Sequence, residues 1–367
     1  MEKTMPTKCE YLYGVIPARH AKDFGPIGLG GQPVRTICDG EFGILASTCE
    51  PIDFQTALPE KTLHYLAQHQ RVLEQVMANA PVVPLKFGTY ADNEQRISRI
   101  IDSGRKQFAD ALAAYGDKVE FDIAAFWSDV QGVLADIADD ERVVAMKDTI
   151  GAGEPPTLNQ RVALGQFVKQ LLDERRGLAA RELIDAIQTI WPNVVVNPTR
   201  DDAMVLNAAV LIGRDEQSLF DQVIADLNGR CDERFNFRCV GPLPPYSFAT
   251  ANIRTINAAA LESARQSLEL GESASLAEIK TAYRRLLQEN HPDRSAAPGA
   301  ADRMREIAGA YELLEEFTTN YRHSFAGVLE GPVIVKVRSL NDLRSPNSSA
   351  QAARPQQRRD AATVQAA

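Results

Sequence analysis

The chain has 367 residues, 44% hydrophobic and 24% charged, with a formal net charge of −9 at pH 7. That length can bury sizeable cores and predicts two or three domains, while the acidic balance argues against a nucleic-acid-binding chain. No apolar run approaches the roughly 20 residues of a membrane span.

The opening Met-Glu-Lys-Thr-Met-Pro lacks the apolar core of a signal peptide, so a cytoplasmic protein is expected. Residues 9–17 then read as a strand rich in aromatic and branched side chains. A Gly-rich loop follows at 25–33. It fails as a phosphate cradle, because no Gly-Lys-Ser/Thr follows and no helix opens directly after it. Two strand-like runs, 34–38 and 42–48, are split by the turn signal Asp39-Gly40. A helix is predicted over 58–79, with Leu63, Leu66, Val72, Leu73 and Val76 as its apolar face. His64 and His69 lie five apart on it, off the spacing of two metal ligands, and read as a solvated pair. Residues 81–89 read as a fourth strand, since their prolines exclude a helix interior. Asp92 is the expected cap of the next helix, which runs to about Tyr115. The order β, β, β, α, β, α suits an antiparallel sheet with helices on one face, a ferredoxin-like variant.

A second α+β domain starts with the alternating strand at 118–123. A helix over roughly 129–146 is broken by Gly-Ala-Gly-Glu-Pro-Pro at 151–156. A long helix from Leu158 to about Ile190 follows, protruding or coiled-coil-like. Strands at 193–196 and 204–212, a helix at 216–228 and a strand at 234–240 complete the domain, which closes on Gly241-Pro-Leu-Pro-Pro-Tyr-Ser-Phe248. A helical linker is expected at about 252–270, a further strand at 332–338, and disorder in the polar tail from Ser345.

Two helical patterns flank His291-Pro292-Asp293. Ile279, Tyr283, Leu286 and Leu287 share one face before it; Met304, Ile307, Ala310, Tyr311 and Leu314 share one after it. With Ala282-Tyr283-Arg284 upstream and Ala310-Tyr311-Glu312-Leu313-Leu314 downstream, the segment resembles the J-domain of DnaJ-type co-chaperones. The resemblance implies contact with a DnaK-class ATPase through the tripeptide and a basic face, here Lys280, Arg284 and Arg285. Glu278 and Glu289 dilute that face, and no Gly/Phe-rich or zinc-binding region follows.

The five cysteines, Cys9, Cys38, Cys49, Cys231 and Cys239, show no C-x-x-C spacing, which argues against a disulfide framework or a zinc site. No nucleophile–base grouping stands out and neither G-x-S-x-G nor H-E-x-x-H occurs, so no catalytic residue, metal or cofactor is expected.

Three segments together carry a second resemblance. They are Tyr11, Tyr13 and Gly14 of the opening strand; Pro84, Lys86, Phe87, Gly88 and Thr89; and Gly241, Pro242, Pro244, Pro245, Tyr246, Ser247 and Phe248. In this order and separation they resemble the GvpL/GvpF family of gas vesicle proteins over residues 9–248. Lys86 stands where that family usually has Arg, and Leu243 where it has Trp. The resemblance implies a ferredoxin-like domain at 1–116 and a second α+β domain at 117–250; the J-like helical segment is expected at 251–325, and a short strand and disordered tail at 326–367. It implies a non-catalytic role in gas vesicles, through contact with the hydrophobic shell protein and other gas vesicle accessory proteins, with a DnaK-class chaperone as a further partner. Two alternatives remain open: a general J-domain co-chaperone with an unrelated client, and a purely structural vesicle component.

Overall fold

The computed structural model describes residues 8–54, 56–151, 155, 157–290, 300–320, 323–325 and 333–338. They form a mixed α+β protein of two compact units. One is built from residues within 1–116 and 249–338, the other from residues within 117–248.

In the first unit, β1 (Cys9–Pro17) is the central strand of an antiparallel sheet ordered β2-β3-β4-β1-β5. Its partners are β2 (Asp23–Gly25), β3 (Val34–Asp39), β4 (Phe42–Cys49) and the two-residue β5 (Val83–Pro84); β6 (Tyr90–Ala91) also pairs with β1. All nine residues of β1 are buried, which fits its continuous run of apolar and aromatic residues better than an alternating one. The Asp39-Gly40 turn joins β3 to β4 in register, Asp39 opposite Phe42, and Gly40 supplies the positive φ of 61° that the tight turn needs. A bulge at Tyr13 shifts the β1–β4 register between Leu12 and Gly14.

Helix α1 (Pro59–Met77) lies against the side of the sheet that carries Tyr11, Tyr13 and Ser47. Phe42 stands five residues from Ser47 along β4, hence on the opposite face of the pleat, and there it meets Phe108 of α2 (Glu94–Tyr115). The two helices therefore cover opposite faces, where element order alone suggested one. The cap of α2 is Asn93, whose side chain accepts from the Arg96 amide, and not Asp92.

Residues 251–255 correct the expected helical linker. They form β11 (Ala251–Thr255), which pairs antiparallel with β12 (Val333–Val337) from Ala251–Val337 to Thr255–Val333. This ribbon is fastened to the N-terminal part. The Lys86 amide donates to the Ala251 carbonyl at 2.9 Å, the Arg96 guanidinium reaches the Thr255 hydroxyl, and Val335 lies against Gly104 of α2. Among the described residues between the two strands stand three helices: α8 (Ala258–Ser267), α9 (Leu276–Glu289) and α10 (Ala300–Asn320).

The second unit holds a four-stranded antiparallel sheet ordered β10-β7-β9-β8. Its strands are β7 (Lys118–Trp127), β8 (Val194–Val196), β9 (Met204–Gly213) and β10 (Phe235–Leu243). Helix α6 (Gln217–Arg230) places Phe220 on Phe121 of β7, ring centroids 4.3 Å apart. The helix expected over 129–146 is two, α3 (Val130–Ala138) and α4 (Glu141–Gly151), because Asp139 ends the first and Asp140 turns its carboxylate to the Arg142 amide. Both pack on α5 (Leu158–Gln188), which opens with a Thr157/Gln160 capping box, around Ile137, Val143, Leu171 and Leu172.

Candidate functional site

Tyr11 and Tyr13 reach across the first unit to hold two loops. The Tyr11 hydroxyl lies 2.9 Å from His69 Nδ1 on α1 and accepts the Gly88 amide at 3.1 Å. The Tyr13 hydroxyl lies 2.7 Å from Ser47 Oγ and accepts the Leu29 amide of the Gly-rich loop at 2.8 Å. His69 is 2% exposed and stacked on Tyr13, so the solvated pair expected from the sequence is corrected: only His64 is exposed. Burial pushes the His69 imidazole down to about 4, which keeps it neutral near pH 7. Its partner lies 58 residues away in sequence, and no local pattern signals it.

The Pro84–Thr89 segment is a corner locked on β1. Leu85 donates to the Tyr13 carbonyl and the Leu12 amide donates to the Thr89 carbonyl. The Thr89 hydroxyl turns back to the Lys86 carbonyl, while the Lys86 side chain points to solvent. Gly88 has φ 81°, and the half-buried Phe87 ring sits among Tyr11, His69 and Phe54. Gly14 is required for space: a Cβ there would stand 2.7 Å from Leu73 Cδ2 and 3.1 Å from the Val83 carbonyl oxygen.

The Gly-rich loop spends its amides internally. Those of Gly28, Leu29, Gly30 and Gly31 go to Gln32 O, Tyr13 Oη, Gln68 Oε1 and Gly28 O. The loop is thus no anion cradle, in agreement with the missing Walker context.

In the second unit, the Gly241–Phe248 corner is built around Glu120 of β7, which is 2% exposed. Ser247 donates its amide to Glu120 Oε2 and its hydroxyl to Oε1, each at 2.7 Å. The peptide bond Gly241–Pro242 is cis, and a Cβ on Gly241 would lie 2.5 Å from the Phe121 ring. Pro244, Pro245 and Phe248 are buried, and Tyr246 is half-buried.

The J-like helices form their own core. Ile279, Ala282 and Leu286 of α9 meet Ile307, Ala310 and Leu314 of α10, and Tyr283 stacks on Tyr311 with centroids 4.3 Å apart. A Ser275/Glu278 capping box opens α9. Its basic residues are exposed but not equally free. Lys280 pairs with Glu315 at 3.5 Å, and Arg285 with Glu269 at 2.6 Å and Glu289 at 3.5 Å. Arg284 makes no hydrogen bond or ion pair among the described residues. His291, Pro292 and Asp293 lie outside the described residues. Glu316 of α10 fixes this group of helices to the ribbon, receiving Arg254 at 2.6 Å and Lys336 at 2.9 Å. No group of three or more His, Cys, Asp or Glu side chains among the described residues could hold a metal, and no described helix is long and apolar enough to cross a membrane.

The chain's relatives divide along these lines. It is 27% identical over 241 residues to gas vesicle protein F of Streptomyces sp. (strain CB03234), covering 65% of this chain and 98% of that one. It is 26% identical to gas vesicle protein F of Nostoc sp., over 65% of this chain and 97% of the relative. The crystal structure of GvpF from Anabaena sp. PCC7120 shares the fold at a TM-score of 0.54 and 23% identity, over 65% of this chain and 97% of that one. Beyond this region, 58 residues are 50% identical to mouse DnaJ homolog subfamily C member 16, covering 15% of this chain and 8% of that protein. A DnaJ domain model matches residues 266–320. The gas vesicle synthesis protein GvpL/GvpF model matches residues 10–250, well over half of the 367, and the chain therefore belongs to that family.

Proposed function

We propose that this protein is a gas vesicle assembly factor, or a minor shell-associated protein, that binds the hydrophobic shell subunit and brings a DnaK-class ATPase to the same client. A subunit that polymerises into a hydrophobic shell exposes apolar surface and strand edges, which aggregate unless covered. In this reading residues 1–116 and 117–250 contact the client and other gas vesicle accessory proteins. Residues 251–325 contact the chaperone through Lys280, Arg284, Arg285 and His291-Pro292-Asp293, and no step is catalysed by the protein itself. The observation that carries the reading is the union of the two modules in one chain. The DnaJ helices sit between strands that pair with each other and fasten to α2, Lys86 and Arg96 of the family's own region. Such an attachment suits a device that presents one client to one ATPase.

The test is co-purification of the full chain with the shell protein, together with vesicle counts in a strain lacking the gene. The expected result is capture of the shell protein and a loss of vesicles. Normal vesicles together with no shell-protein capture would sink the proposal. Recovery of the protein on washed, intact vesicles would place it in the shell rather than among soluble assembly factors.

A further inference from the structure

The apolar stripe of α1 runs further than the core it packs on. Leu58, Tyr65, Leu66, His69, Val72 and Val76 recur at helical spacing and share one face. Only the C-terminal half of that face is buried, from His69 to Met77. Leu58 is 72% exposed and Leu66 41%, with Leu63 beside them at 65%. The first turns of the helix overhang the sheet with that face only partly covered: Tyr65 is half-buried against Phe54, while Leu58, Leu63 and Leu66 stay exposed.

Beneath the overhang lies a cleft of about 640 Å³, lined by Leu29, Pro51, Ile52, Ala57 and Tyr65, with Glu50 and Asp53 among its lining residues. Its one lining cation, Lys61, is drawn over the Tyr65 ring at 5.9 Å. Glu50 and Asp53 are exposed, and the neighbouring Glu60 adds a third exposed carboxylate. Gln32 and Thr56 also line the cleft, so its wall mixes polar and apolar groups, with carboxylates among the exposed ones.

Size and charge choose the occupant. A cleft of this volume falls in the range that takes a compact ligand or a few side chains. A folded second copy needs an interface of roughly 1,000 Å² or more, and would bring another net charge of −9 against carboxylates. A short segment with aliphatic side chains and flanking cations satisfies both the leucines and the edge charge. We propose that the α1 overhang and its cleft bind a basic-flanked apolar segment of a partner protein. Resting on the function proposed above, this assigns the client's contact to the cleft, to Leu58 at its wall and to the exposed Leu66 on the same helix.

The test uses the full chain and two labelled amphipathic probe peptides of the same pattern, one of Leu and Lys and one of Leu and Glu. The Leu/Lys peptide binds, and the Leu58→Ser/Leu66→Ser variant, checked by circular dichroism, binds it about tenfold more weakly or worse. Leu58→Ser alone serves if the double variant misfolds, because Leu58 is the more exposed of the two. Glu50→Lys weakens the Leu/Lys peptide. Equal binding of both peptides, or unchanged affinity in the leucine variants, overturns the proposal. A wild-type dimer that the leucine variants dissociate in sedimentation also overturns it, in favour of a second copy. Shell-protein capture is read in parallel. Undiminished capture by the variants sinks the cleft and leaves the client reading standing, whereas peptide binding at the cleft without shell capture does the reverse.

Discussion

Ser247 gives both its amide and its hydroxyl to the two carboxylate oxygens of Glu120, each at 2.7 Å, although 127 residues separate them. The carboxylate is buried on β7 and the serine is the second residue of the short helix α7 (Tyr246–Ala249). A strand in the middle of the sheet thereby fixes the corner that closes the family's region.

Glu120→Gln keeps the volume but replaces one acceptor oxygen by a donor. The remaining oxygen can accept the Ser247 amide and the new NH2 can donate to the Ser247 hydroxyl, so two charge-assisted bonds become neutral ones and stability should fall by about 1–2 kcal/mol. Ser247→Ala removes only the hydroxyl bond and should cost about half as much. Urea denaturation of the full chain at neutral pH measures both. Equal midpoints for wild type and Glu120→Gln would show that the pair does not hold the corner.

Gly14→Ala tests the close approach of β1 to α1. Leu73 Cδ2 at 2.7 Å and Val82 Cγ2 at 2.9 Å can rotate aside, but the Val83 carbonyl at 3.1 Å belongs to the paired strand and cannot. Overpacking of this kind costs about 1–3 kcal/mol. The expected readout is a lower urea midpoint with an unchanged slope.

His69 links stability to pH. Its folded value, about 4, lies below the ordinary 6.5 of a free imidazole, so the unfolded chain binds the proton more readily. The contribution of the neutral buried ring is complete above pH 6.5 and is lost as pH falls from 6.5 towards 4. Fully expressed, such a shift is worth roughly 3 kcal/mol. Urea midpoints of wild type should therefore drop across this window, and His69→Phe, which cannot titrate, should drop less. Parallel curves for the two proteins would refute the assignment.

What the sequence disclosed follows from how local each determinant is. The Asp39-Gly40 turn, the apolar faces of α9 and α10 and the long helix α5 rest on neighbouring residues, and all were legible. His69 was misread because its partner Tyr11 comes from a strand at the other end of the domain. Residues 251–255 were read as helix because Ala258-Ala-Ala-Leu261 follows at once, and the strand that pairs with them lies about 80 residues downstream. The family segments stood out by their residues alone. That Tyr11 and Tyr13 clasp the loops of Gly88 and Leu29, and that Glu120 holds Ser247, needed the fold. The overhang of α1 was hidden for the opposite reason: its stripe predicts burial along its whole length, and only the sheet's extent shows where burial stops.

Glu316 is the hinge pin between the DnaJ helices and the ribbon. Its side chain is 10% exposed and receives Arg254 from β11 and Lys336 from β12. Glu316→Ala leaves both cations without that carboxylate and should loosen β12. Hydrogen exchange of the Val333–Val337 amides should accelerate several-fold while that of β7 stays the same. Unchanged exchange in β12 would mean that packing on α2 alone holds the ribbon.

The J-like face yields the last prediction, in which charge and tripeptide separate. Lys280 and Arg285 already have carboxylate neighbours, whereas Arg284 has no such partner among the described residues. In the proposed contact an acidic ATPase would have to compete for the first two but not, among the described residues, for Arg284, and charge of this kind raises the encounter rate more than the final affinity. Arg284→Ala should therefore slow association with a DnaK-class chaperone more than Lys280→Ala does, and the difference should shrink as salt is added. His291→Gln should abolish stimulation of the ATPase while leaving capture of the shell protein intact. Single-turnover ATP hydrolysis by the chaperone, run beside shell-protein pull-down, reads both. If the wild-type chain gives no stimulation, the active co-chaperone reading fails, and the helices between β11 and β12 are a docking module whose tripeptide is idle.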